Sequence, residues 1–194
     1  MDPTEFHSFL ASRRSVREYE AGGITEEEKD YLLSAAKTAP SAGNLEAWDV
    51  VIVTDDGQLE ELTDASGGQH QIFDSGCAFV VCANYVRSMS RYGDRGILYA
   101  LQDATIAATY MMLAAHAIRL HTCWVGQFDD EAVKEIQKKL LSIETNISNW
   151  QRRQNENNNF SATVPYELEK KKEYYEELLD LIQTKDHRMT QTLI

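Results

Sequence analysis

The chain of 194 residues predicts an α+β layer fold with a small central sheet, followed by an α-helical hairpin. Three observations lead there. Helix-capping signals and short β-branched runs alternate over the first two thirds of the chain. A long alanine-rich run, Leu98 to Leu120, is apolar nearly all round, as suits a helix at the centre of a fold. Beyond it the apolar residues fall into heptads.

The elements follow in order. Asp2-Pro3-Thr4-Glu5 places an N-cap, a proline at the first helical position and a glutamate at the third, and Phe6, Phe9 and Leu10 continue at helical spacing. Thr25 and Glu28 repeat the capping box and open a helix carrying Tyr31, Leu32, Ala35 and Ala36, which must end before Pro40. Trp48 to Val53 reads as a strand, Asp56 to Ala65 as a helix, and Ala78 to Ala83 as a strand buried on both faces. Thr122 to Val125 is a third strand candidate.

The chain changes character near residue 137. All ten glycines lie at or before Gly126, and the full net charge of −12 resides in the first 137 residues. Six of the eight asparagines follow the break. Val133, Ile136, Leu140, Ile143, Ile147 and Trp150 form an a/d seam, and Leu168, Tyr175, Leu178, Leu179 and Ile182 mark a second helix after the polar stretch 152–161. We expect two domains, 1–137 and 138–194, the second a helical hairpin or coiled coil that packs on itself, on the first or on another protein. Such breaks mark a fusion of two segments, engineered or otherwise.

Composition excludes several classes. A sequence pI of about 4.8 argues against nucleic acid as the partner. No apolar leader follows Met1, and the run from Ile97 to Leu120 contains Gln102, Asp103, His116 and Arg119, so a buried helix is expected and not a membrane span. Cys77, Cys82 and Cys123 are odd in number and lack zinc-ligand spacing, which reads as reduced core thiols in a cytoplasmic protein. The histidines are scattered, and no triad or metal cluster stands out; His70 is the one nearest a candidate site.

Against this acidic background Arg13-Arg14-Ser15-Val16-Arg17 places three guanidiniums and a hydroxyl within five residues. Arginine forks match phosphate and carboxylate oxygens, so the segment reads as a site for one small anion. Pro40-Ser41-Ala42-Gly43-Asn44 supplies a tight loop with polar groups after the second helix. Taken with Tyr99-Ala100-Leu101-Gln102-Asp103-Ala104 and Cys123-Trp124-Val125-Gly126, these motifs resemble the FMN-dependent nitroreductase family over residues 6 to about 136.

The resemblance implies a three-layer nitroreductase-like fold, a homodimer, and FMN bound at the interface. It implies that Arg13, Arg14, Ser15 and Arg17 contact the flavin phosphate, ribityl chain and pyrimidine edge. Pro40, Ser41, Ala42 and Asn44 match the loop laid against the isoalloxazine by the other subunit. Gln71 lies near a flavin-contacting position, and Val125, Gly126 and Gln127 match the backbone that approaches flavin N5. The implied activity is ping-pong hydride transfer from NAD(P)H to a nitroaromatic, quinone or similar small electron acceptor, with chemistry at the flavin, no catalytic side chain and no metal.

The chain departs from the family in two places. Leu45-Glu46-Ala47-Trp48 stands where the family has Gln-Pro-Trp, and nothing after Gln137 matches the family's last core strand, its additional phosphate-binding cations or its embracing arm. The sheet is therefore expected to be short of a strand. Two readings stay open: a working flavin oxidoreductase, or a catalytically impaired dimeric scaffold whose C-terminal helices bind a protein partner.

Overall fold

The computed structural model describes residues 2–20, 22–139 and 191–193. The chain divides into two compact units, Met1–Asp130 with Thr190–Ile194, and Glu131–Met189. The division thus falls before residue 137, and the last residues return to the first unit. The expected hairpin, from Leu140 to the second helix, lies outside the described residues.

The first unit opens as its capping signals dictate. In α1 (Pro3–Ser12), Asp2 Oδ1 accepts from the Thr4 and Glu5 N–H groups at 2.7 and 2.9 Å, and the Glu5 carboxylate accepts from Asp2 N–H at 2.9 Å. In α2 (Glu26–Lys37) the Thr25–Glu28 box is closed in the same reciprocal way. Each box satisfies N–H groups that no helical carbonyl can reach.

The sheet is antiparallel, in the order β1-β2-β3. β1 (Trp48–Val53) pairs with β2 (Ala78–Ala83), with Trp48 opposite Ala83 and Val53 opposite Ala78. Every residue of β2 is buried, as its apolar run requires. β3 is Gln191–Leu193, which sets Leu193 opposite Val80 and Gln191 opposite Cys82. Two expectations are corrected here. The chain's final residues form a strand and not a helix. Thr122–Val125 makes only single-residue bridges among the described residues, and its Thr122 pairs with Ser15 in parallel.

Between the strands lie α3 (Asp56–Ala65), the short α4 (Gln71–Asp74) and α5 (Tyr85–Tyr92). The long helix α6 (Gly96–Ala117) packs against α2, α5, β1 and β2. Tyr85–Ala117 has the length and composition of a membrane span, yet α6 carries a buried face that includes Asp103, as a core helix does. Gly96 permits the close approach of α5 and α6: a Cβ there would sit 2.6 Å from Met89 N and 2.7 Å from the Ser88 carbonyl carbon. Leu59, Leu62, Val53, Val81 and Met111 are fully enclosed and form the core. The three cysteines are buried, and none forms a disulfide among the described residues.

A helix, α7, runs over 130–139. In the second unit it carries two i,i+3 ion pairs, Lys134–Glu131 at 2.5 Å and Lys138–Glu135 at 2.6 Å. Of the heptad seam, Val133 and Ile136 fall in this helix and are buried; the rest of the seam lies outside the described residues.

Candidate functional site

The arginine segment begins where α1 ends. Arg13 leaves the helix in extended conformation, φ −60° and ψ 139°. Val16 N–H then donates to Thr122 O at 3.2 Å, and Tyr19 OH donates to Val16 O at 2.8 Å. These bonds lay residues 13–17 beside the 122–125 stretch. α1 is also anchored at this end, by Ser12 Oγ 2.8 Å from His116 Nε2 and by Phe9 against the His116 ring.

The three arginines are not equivalent. Arg14 turns back on its own helix and donates to the Ala11 and Arg13 carbonyls at 2.6 and 3.0 Å, so part of its fork caps α1. Arg17 is exposed. Arg13 is half-buried, and its Nη1 is enclosed without a hydrogen-bond partner among the described residues. None of the three is ion-paired within the described residues. A buried guanidinium N–H with no acceptor carries a desolvation cost of about 1–3 kcal/mol, which an incoming oxyanion would remove.

The 40–47 loop is built differently. Ala42–Asn44 forms a single 3-10 turn, and Gly43, Asn44 and Glu46 all have positive φ, at 59°, 58° and 46°. Asp103, 2% exposed on α6, holds the loop at both ends: Oδ1 accepts from Ala42 N–H at 2.9 Å and Oδ2 from Ala47 N–H at 3.2 Å. Ser41 Oγ accepts from Glu46 N–H at 3.0 Å. From α5, Arg91 Nη1 donates to Gly43 O at 3.1 Å, while Arg87 donates to the Glu46 and Trp48 carbonyls and pairs with Asp49 at 3.1 Å. Pro40 and Asn44 stay on the surface. Among the described residues no hydrogen bond or ion pair joins this loop to Arg13, Arg14 or Arg17.

A third group gathers around Gln69. Its Nε2 donates to Ser66 O at 3.0 Å and to Gln127 O at 3.1 Å, and its Oε1 accepts from Gln71 Nε2 at 3.0 Å. Gln71 and Gln127, far apart in sequence, are thereby linked. Since both carbonyls can only accept, the Gln69 amide has one possible orientation. Val125 is buried and Gly126 exposed. Gln71 and Val125 also line a largely apolar cavity of about 230 Å³, whose walls include Tyr19, Cys77, Thr122 and Cys123.

The structure thus joins the arginine segment to the 122–125 stretch, and Gln71 to Gln127 through Gln69. It holds the 40–47 loop apart on α5 and α6. Sequence reasoning left Asp103, Gln69 and the α5 arginines without roles. Asp103 had a usable signal, since a carboxylate inside an apolar helix must find donors. His70, exposed at the start of α4, makes no side-chain cap.

Two groups in the cavity wall titrate unusually. Burial pushes the Cys77 thiol up to about 11, against the pull of Lys29. Burial and the neighbouring Cys123 push Tyr19 up to about 12. A thiol held protonated is a poor nucleophile, so Cys77 packs and does not react at neutral pH.

The sequence profile of the Nitroreductase family matches residues 10–148. A provisionally named NADH dehydrogenase/NAD(P)H nitroreductase of Archaeoglobus fulgidus is 31% identical over 138 residues, which is 71% of this chain and 76% of that protein. An FMN reductase (NADPH) of Bacillus subtilis is 27% identical over 64% of this chain, which spans about half, 55%, of that relative. Among solved structures, an FMN-dependent nitroreductase of Clostridium difficile superposes with a TM-score of 0.58 at 28% identity, covering 67% of this chain and 76% of that one. The fold and these matches define an oxidoreductase. The chain belongs to the Nitroreductase family.

Proposed function

We propose that the protein is an FMN-dependent NAD(P)H oxidoreductase that works as a homodimer on electron-poor acceptors. The observation that carries this reading is the enclosed, unpartnered Arg13 Nη1, in a basic segment of a chain with net charge −12. When bound, FMN would supply the redox chemistry, hydride exchange between NAD(P)H and an electron-poor acceptor such as a nitroaromatic or quinone.

The chain's own residues bind and orient. Arg13 and Arg17 hold the phosphate, with Ser15 beside them; Arg14 contributes the part of its fork that α1 leaves unused. Gln71, fixed through Gln69, offers its amide to the pyrimidine edge. The stretch Val125, Gly126 and Gln127 brings backbone N–H to the reactive edge, steadied by the Gln69 bond to Gln127 O. Pro40, Ser41, Ala42 and Asn44 come from the partner subunit and cover the ring.

Exposed apolar surface supports the dimer. No residue of α1 is buried, and Phe6 and Leu10 are 51% and 39% exposed. On α6, Leu98 and Tyr110 are exposed beside Gln102, Thr105 and Thr109. A face of this kind on two helices is what a second copy covers. Three cysteines without a disulfide among the described residues suit a reducing, cytoplasmic setting.

The test is a fluorescence titration of the flavin-stripped protein with FMN, alongside its visible spectrum. Wild type should bind and turn yellow, and Arg13→Ala should weaken binding at least tenfold. A protein that takes up no FMN overturns the reading; equal binding by Arg13→Ala overturns the phosphate assignment.

A further inference from the structure

A second basic cluster lies on the other side of the 40–47 loop. Arg91 on α5 and Arg95 in the turn after it are both exposed, and neither is ion-paired among the described residues. Each guanidinium lies over a tyrosine ring, Arg91 over Tyr92 and Arg95 over Tyr99, both 5.6 Å from the centroid. Tyr92 and Tyr99 meet edge to face at 4.9 Å, so the four side chains form one cluster. It abuts the loop directly: a Cβ on Gly43 would lie 2.2 Å from Tyr92 Oη and 2.9 Å from Arg91 Nη1.

The arginines are positioned but not used up. Arg91 commits Nη1 to Gly43 O, and Arg95 commits Nε to Tyr99 Oη at 2.8 Å. The remaining N–H groups of both forks face no acceptor that the described residues provide. Stacking on a ring fixes a guanidinium without neutralising it, which lowers the entropy cost of gripping an anion. Arg87, one turn earlier, differs, being engaged with Asp49 and two carbonyls. Asp94 is the acidic neighbour of the pair and is exposed.

We propose that Arg91 and Arg95, with Tyr92 and Tyr99, bind the phosphate groups of the nicotinamide dinucleotide that delivers reducing equivalents. The proposal rests on the oxidoreductase reading above. A chain of net charge −12 repels a polyanionic reductant, so a local pair of cations is needed where its phosphates arrive. The cluster sits against the loop assigned to cover the flavin ring. The Arg13–Arg17 segment is already assigned, on the reading above, to the flavin's own phosphate.

The FMN-loaded full chain is titrated calorimetrically with inorganic pyrophosphate, and steady-state rates are measured with NADH, NADPH and dihydronicotinamide riboside, which has no phosphate. Arg91→Gln and Arg95→Gln should each weaken pyrophosphate at least fivefold and raise KM for the dinucleotides at least fivefold. In Arg95→Gln, which leaves the Arg91–Gly43 bond in place, KM for the riboside and kcat should change less than twofold, and Lys37→Gln, a surface charge control, should change nothing. A rise confined to NADPH assigns the cluster to the 2′-phosphate; a rise with both assigns it to the pyrophosphate bridge, and either supports the proposal. Wild-type pyrophosphate binding and KM in both variants overturn it. So does an equal rise with the riboside in Arg95→Gln, which would mean that the cluster acts through packing and not on the phosphates. A chain that takes up no FMN overturns the oxidoreductase reading instead, and the pyrophosphate comparison of variant and wild type still decides the cluster.

Discussion

The arginine segment and the 40–47 loop are assigned to the same ligand, yet they are built in opposite ways. In the loop, strained backbone is held by bonds that are all made. Asp103 closes both ends, Ser41 bridges the turn, and Arg87 and Arg91 hold carbonyls. In the segment, a light frame of two bonds, Val16 to Thr122 and Tyr19 to Val16, leaves Arg13 Nη1 enclosed and unmatched. The loop is shaped to present a surface, and so it needs rigidity. The segment is shaped to receive charge, and so it needs donors left open. Groups that bind are recognised by what they leave unsatisfied, and groups that position by what they complete.

The largest expected effect tests the loop. Asp103→Ala strands the Ala42 and Ala47 N–H groups, each of which gives up a bond to a charged acceptor. About 3 kcal/mol or more of stability should be lost in urea unfolding. A loss under about 1 kcal/mol would show that the loop is held by other means, and would end the contrast.

Arg13→Ala should do the reverse. Because its buried N–H has no partner, removing it should change stability by less than about 1 kcal/mol, while FMN affinity falls at least tenfold, or about 1.4 kcal/mol. A large drop in melting temperature would mean that Arg13 is structural and the segment no different in kind from the loop.

Alkaline pH should separate the two regions more gently. Cys77 and Tyr19 are both favoured in their neutral forms by the fold, their values raised from 9.0 to about 11 and from 10.0 to about 12. Their contribution is complete below pH 9 and is lost as pH rises from 9 through about 12. Since Tyr19 holds Val16, the segment should loosen first, which a falling melting temperature over this range would register. Tyr19→Phe should flatten the upper part of that fall. An unchanged slope in this variant would assign the alkaline loss elsewhere.

The smallest effect is expected at Arg14. Arg14→Ala removes a helix C-terminal cap on an exposed helix, and should cost about 0.5 kcal/mol. FMN affinity should fall less than for Arg13→Ala; an equal fall would place the two guanidiniums on the phosphate alike.

Much of the fold was legible because its signals are local. The Asp2–Glu5 and Thr25–Glu28 boxes lie within one turn, and both helices start where those residues put them. β1, β2 and α3 run between the residues that composition marks. α5 was missed although Asn84 caps it by accepting from Arg87 N–H and its sequence is amphipathic, because eight residues give too few turns for the helical period to stand out. Thr122–Val125 has strand composition but makes only single-residue bridges, since pairing depends on which backbone the fold brings alongside, here Ser15.

For the candidate site the division is similar. Residue types alone make Arg13-Arg14-Ser15-Val16-Arg17 a candidate anion site, because guanidinium charge and geometry belong to the side chain wherever it is placed. The chain's acidity likewise follows from its composition. Which of the three arginines faces an empty position was settled only by folding, because burial and partner count belong to the neighbours. The same holds for Asp103 beneath the loop, for Gln69 between Gln71 and Gln127, and for Arg91 and Arg95 spread over their tyrosines. Each joins residues that only the packing of α5, α6 and the 122–127 stretch brings within hydrogen-bond or ring-contact distance.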